Sequence, residues 1–160
     1  MGGIKKDMTD LYNIFDKRGE IFSCQCGCGL DLISHEIKKI LFNFYKHVNS
    51  YFGNQYDLKL VNHSMVRCQQ HNKNEGGFDS ISNGNHKVSF HVPEYFDKIK
   101  NKLVRRDINA CDFHVKGVSM DTLYNIAGGC HGDILTGGLG FYNTFIHIDN
   151  ANLRTFDYRG

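Results

Sequence analysis

Ile37, Ile40, Leu41, Phe44, Tyr45, Val48, Tyr51 and Phe52 recur at helical spacing, which commits this stretch to a long amphipathic helix. Ser34 stands where an N-cap belongs and Gly53 follows the last apolar residue, so both ends are marked. A helix with one apolar stripe needs a surface to cover. The later sequence supplies strands. Asn109–Val115 alternates apolar and polar residues, and Thr144–Asp149 and Leu153–Tyr158 read as two strands joined at Asn150–Asn152 in a hairpin. Tyr56–Val61 also has strand composition. Helices early and strands late predict an α+β fold, a mainly antiparallel sheet with the long helix packed on it. The 160 residues suit one domain over 1–160.

Between these elements the sequence is less regular. Leu11, Ile14 and Phe15 suggest one or two helical turns. Ser64–Gly77 reads as polar and irregular, and 74–89 is rich in Asn, Gly and Ser. Pro93 can open a helix, with Tyr95, Phe96, Ile99 and Leu103 as its inner face. Ser119 can cap a short helix carrying Leu123 and Ile126, and Gly128, Gly129, Gly137, Gly138 and Gly140 mark loops.

Composition narrows the function classes. Apolar residues make up 41% and charged residues 22%, a globular balance, and the formal net charge is only +2. Lys98, Lys100, Lys102, Arg105 and Arg106 form the one local basic excess, read as a solvated helix face. Nucleic acid is therefore not the expected partner. No apolar run approaches the ~20 residues of a membrane span, and Met1–Asp10 lacks a signal-peptide core.

Chemistry concentrates on the two best strands. In Phe145-Ile-His-Ile-Asp149, alternation puts the isoleucines on one face and His147 with Asp149 on the other. In Ala110-Cys-Asp-Phe-His114, Asp112 and His114 share a face opposite Cys111 and Phe113. Side by side, such strands would offer imidazoles and carboxylates of the kind that hold zinc. Cys24, Cys26 and Cys28 also alternate, and with Cys68 they offer a four-thiolate alternative. C-x-C-x-C departs from the usual spacing of zinc-binding cysteine pairs, so small buried thiols beside a glycine-rich turn are the expectation.

Four stretches, in order, resemble the M15 zinc peptidases of the D-alanyl-D-alanine carboxypeptidase and hedgehog-like fold group, in particular their short bacterial and phage forms. They are Phe22-Ser-Cys-Gln-Cys-Gly-Cys-Gly29, Ser64-Met-Val-Arg-Cys-Gln-Gln-His-Asn72 with Gly76-Gly77, Ala110-Cys-Asp-Phe-His-Val-Lys-Gly-Val-Ser119, and Gly138-Leu-Gly-Phe-Tyr-Asn-Thr-Phe-Ile-His-Ile-Asp149. The resemblance implies a zinc-dependent hydrolase of peptidoglycan stem peptides, with Asp112 and His147 as metal ligands and Arg67 holding the substrate carboxylate. A guanidinium fork suits that task. The family's first ligand histidine lies close before the aspartate, but here Arg105 occupies that place. Ser89-Phe90-His91 keeps the family's S-x-H pattern, and residues 92–108 then read as an inserted helical segment. His91 is the expected ligand and His86 its competitor.

Asp149 would accept a proton from the attacking water or orient a ligand imidazole, and His114 is a further proton handler or transition-state donor. His71 and His131 are weaker candidates. A phage- or virus-type lysin is the context these readings imply. Two rivals stand beside them: a non-catalytic zinc-containing module of the same fold, and a cysteine-zinc interaction domain.

Overall fold

The computed structural model describes residues 13–16, 22–54 and 58–160. The expected element around Leu11, the leader reading of Met1–Asp10, and Tyr56 and Asp57 lie outside them.

The long helix, α1, runs His35–Tyr51. The Ser34 side chain accepts from the Glu36 amide at 3.1 Å, satisfying one of the free donors of the first turn. Ile37, Ile40, Leu41, Phe44 and Val48 are buried along one face, while Tyr51 at the last turn is 62% exposed. Phe44 meets Phe113 edge-to-face at 5.9 Å.

Five strands form the main sheet: β1 (Leu60–Ser64), β6 (Ala110–Val115), β8 (Ile146–Asp149), β7 (Gly138–Phe141) and β9 (Arg154–Asp157), in that spatial order. Pairing is antiparallel except between β7 and β9. One face of the sheet carries Cys111, Phe113, Val115, Leu139, Ile146 and Ile148 into the core shared with α1 and with α3 (Met120–Gly129). Ser119 caps α3 as its sequence suggests. The domain is thus α+β with a mixed, mostly antiparallel sheet. Among the described residues no helix is long and apolar enough to cross a membrane.

Several expectations are corrected. The strands at 146–149 and 154–157 are not a hairpin, because β7 lies between them and pairs with both. Residues 92–108 hold no helix; they form a second hairpin, β4 (Glu94–Asp97) and β5 (Lys102–Arg105). Asp97 closes its turn by accepting from the Ile99 and Lys100 amides at 2.9 Å each, a local bond that competes with helix formation. Phe96, Ile99 and Leu103, expected on an inner face, are 43%, 48% and 62% exposed, and only Tyr95 is buried.

The stretch read as irregular contains a short helix, α2 (Gln69–Asn74). The Asn/Gly/Ser-rich region is a hairpin of β2 (Asp79–Ser82) and β3 (Asn85–Val88). Asn83 and Gly84 turn it with φ of 52° and 73°, and Asn-Gly is the sequence signal for such a turn. Gly128 and Gly129 close α3, and Gly138 and Gly140 lie within β7 rather than in loops.

Candidate metal centre and groove

Register assembles the site. Ser64 lies opposite Asp112, Asp112 opposite His147, and His147 opposite Gly140, one row across four strands. Directly opposed residues on one face have touching side chains. The row sits on the face away from the isoleucines, where Asp112, His147 and Asp149 are all buried.

His91 arrives from outside the sheet, on the loop after β3, and is 3% exposed. Its Nδ1 donates to the Met65 carbonyl at 2.6 Å, since a carbonyl can only accept. That bond turns Nε2 toward Asp112 Oδ2 at 3.2 Å. His147 is held likewise: Nε2 faces Asp149 Oδ2 and Nδ1 faces Asp112 Oδ1, both at 2.8 Å. Donor atoms of His91, Asp112 and His147 all lie within 4.8 Å of one another. Tetrahedral zinc with N and O ligands at about 2.0–2.1 Å sets its donors ~3.3 Å apart, so the three groups fit a small divalent ion with modest adjustment. Each imidazole keeps its second nitrogen bonded to an acceptor, the support that metal-binding histidines ordinarily have.

The imidazoles and carboxylates of the site stabilise one another's charged forms. Burial pushes the Asp112 carboxyl up, but His91 and His147 overcome it and hold it well below the usual carboxylate range. Burial opposes charge on His147, and the carboxylates of Asp112 and Asp149 outweigh that and raise its pKa.

The β4–β5 hairpin leaves His91 beside Asp112, because its base is tied shut. The Arg106 amide donates to the Pro93 carbonyl at 2.9 Å. Its guanidinium donates to the carbonyls of Val88 and Val92 at 2.9 and 3.1 Å and to that of Ser89, and it stacks on Phe90 and Tyr95. Arg106 is thus no solvated helix-face cation; it clamps the loop that carries His91.

His86 is elsewhere. Its Nε2 bonds Asp79 at 2.6 Å and its Nδ1 accepts from the Lys98 amide at 3.1 Å, joining the two small hairpins. Arg67 does reach the centre: Nη2 is 4.0 Å from Asp112 Oδ2, Nε donates to Ser64 at 2.8 Å and Nη1 to Asn72 at 3.2 Å. A Cβ on Gly77 would stand 2.0 Å from the Asn72 side chain and 2.9 Å from Arg67, so glycine is required for this packing.

Asp149 is fully occupied. Its side chain is 0% exposed and accepts from the Gly138 and Ala151 amides, from His147 and from both Arg154 amino groups. A Cβ on Gly138 would lie 2.4 Å from its carboxylate. Burial raises the carboxyl pKa, but His147 and Arg154 dominate and hold it far below the usual range.

His114 sits two residues along β6 from Asp112, its Nδ1 2.6 Å from His63 Nε2. His131 bonds the Gly137 carbonyl at 2.9 Å, and neither it nor His71 belongs to the three-donor group.

Beside His147 opens a groove of about 710 Å³, lined also by Phe90, Tyr95, Arg106, Tyr142 and Phe156. Tyr142 was not singled out from sequence, although it occupies the tyrosine position of the last motif. Burial and the charge of Asp112 push its hydroxyl up to about 12, so it remains a donor at neutral pH.

Compared with family models, with curated proteins and with solved structures, the chain finds no match.

Proposed function

We propose that this chain is a zinc-dependent peptidase of the M15 type, sharing the hedgehog-like fold of that group and hydrolysing an amide bond in peptidoglycan stem peptides. The convergence of His91 Nε2, Asp112 and His147 Nδ1, with the far nitrogen of each ring already held, carries the reading. When bound, zinc supplies a Lewis acid and makes water nucleophilic near neutral pH. The residues of the chain do the rest. Arg67 binds the substrate's carboxylate and aligns the scissile bond beside the three ligands. Tyr142 donates to the oxyanion that forms as the carbonyl is attacked. Asp149 orients His147, and proton transfer falls to His114, on the same face of β6 as Asp112.

A metal-holding binding module of the same fold is the second reading. It is favoured by one observation: among the described residues, no carboxylate lines the groove.

Metal content and muropeptide hydrolysis of single variants test both. His91→Ala, Asp112→Ala and His147→Ala should each lose one ion per chain together with hydrolysis, whereas His86→Ala keeps both. Arg67→Ala and Tyr142→Phe should keep the metal and lose about 10²-fold in rate. Full metal retention in Asp112→Ala would sink the centre itself. A zinc-loaded parent that hydrolyses no muropeptide would leave the binding module.

A further inference from the structure

The alternating cysteines do not lie on a strand. Gly27 and Gly29 take φ of 83° and 85°, a region that side-chain-bearing residues avoid, and they fold residues 24–30 back on themselves. The Gly27 amide donates to the Cys24 carbonyl at 3.2 Å, and the Cys24 amide to the Leu30 carbonyl at 2.7 Å. The turn brings three thiols together, and Cys68 joins them from the start of α2. Cys24 Sγ is 3.3 Å from Cys26 Sγ, Cys26 Sγ is 3.7 Å from Cys68 Sγ, and all four sulfurs lie within 4.8 Å of one another.

Tetrahedral zinc with sulfur ligands at about 2.3 Å places them ~3.8 Å apart, close to these separations. Backbone amides already point at two of the sulfurs: Cys68 N donates to Cys24 Sγ and His71 N to Cys68 Sγ, each at 3.3 Å. Such bonds stabilise thiolates, the form that binds metal. Cys26 and Cys28 are exposed, so the hydrophobic effect gives no reason for their convergence.

We propose that Cys24, Cys26, Cys28 and Cys68 form a four-thiolate structural zinc site, separate from the His91–Asp112–His147 centre. The thiols release their protons to solvent as they take the ion. The site pins the loop at 22–30 to the segment 65–68, and that segment supplies Arg67 and the carbonyl that orients His91. Four soft sulfur donors select zinc over magnesium or calcium. The sequence suggests small buried thiols beside a glycine-rich turn; the turn is there, but Cys26 and Cys28 are exposed rather than buried. This site stands whether or not the other centre is a hydrolase.

The test uses the full chain, purified with reductant and loaded with zinc(II) or, in parallel, cobalt(II). The parent should bind two ions. The double variant Cys26→Ser/Cys28→Ser should bind one, and its exposed positions tolerate serine without disturbing the core. Cobalt-loaded parent should show sulfur-to-metal charge-transfer absorption. Asp112→Ala should keep that absorption and the double variant should lack it, since histidine and aspartate give none. Reduced parent without the sulfur band, or a double variant with undiminished metal content, would overturn the proposal. So would intact mass showing a disulfide among these cysteines in the freshly isolated protein.

Discussion

Both ring nitrogens of His147 are spoken for, and the two partners differ in what they can give up. Asp112 is open to exchange its hydrogen bond for a shared metal, whereas Asp149 is locked by Arg154 and two backbone amides. In the proposed reaction these bonds favour Asp149 as a positioning residue over the general-base role. Asp149→Asn should therefore weaken metal affinity about 10–100-fold, with hydrolysis restored by excess zinc. Unchanged affinity together with lost hydrolysis at saturating zinc would return the base role to Asp149. Strand alternation made the faces of Asp112 and His147 legible in sequence, and the M15 resemblance implied the pair; their register came from the sheet. The saturation of Asp149 was not legible, since Arg154 and Gly138 reach it from other strands of the sheet.

At the scale of elements, the β4–β5 hairpin shows how a long excursion between His91 and Asp112 leaves the two side chains together. Closing a longer loop adds little entropy cost, provided that its ends meet. Here the meeting is made by Arg106, whose guanidinium gathers the carbonyls of Val88, Ser89 and Val92 around the His91 loop. Arg106→Ala leaves those carbonyls short of a donor and should loosen residues 88–92. We expect faster amide exchange in that loop and weaker metal binding, with exchange in α1 unchanged. Unaltered exchange and affinity would show that the loop holds itself. The sequence reading of residues 92–108 as helical is corrected to a strand pair. Tyr95, Phe96, Ile99 and Leu103 satisfy helical spacing, yet a strand pair uses Tyr95 alone as a buried anchor. Short segments carry both periodicities, and the Asp97 turn decides between them.

For the whole molecule, one core joins α1 to the face of the sheet opposite the candidate metal site. Phe44 is fully buried against Phe113, which lies on β6 between Asp112 and His114 and faces the opposite way. Phe44→Ala should cost about 3–5 kcal/mol in chemical unfolding. Metal affinity measured below the unfolding transition should stay near that of the parent, because the register of β6 and β8 is set by backbone bonds. A cost under 1 kcal/mol would mean that α1 contributes little to holding the sheet.

Local pattern determined the long helix stripe, the two central strands and the faces on which Asp112 and His147 stand, because periodicity acts within a few residues of chain. Tertiary structure decided that β7 separates β8 from β9, and it settled between alternatives that the sequence left open: His91 rather than His86 meets Asp112, and four cysteines from two segments converge. Those outcomes depend on contacts between residues far apart in sequence. They follow from which backbone and side-chain groups find partners once the core has closed, which spacing along the chain can suggest but not fix.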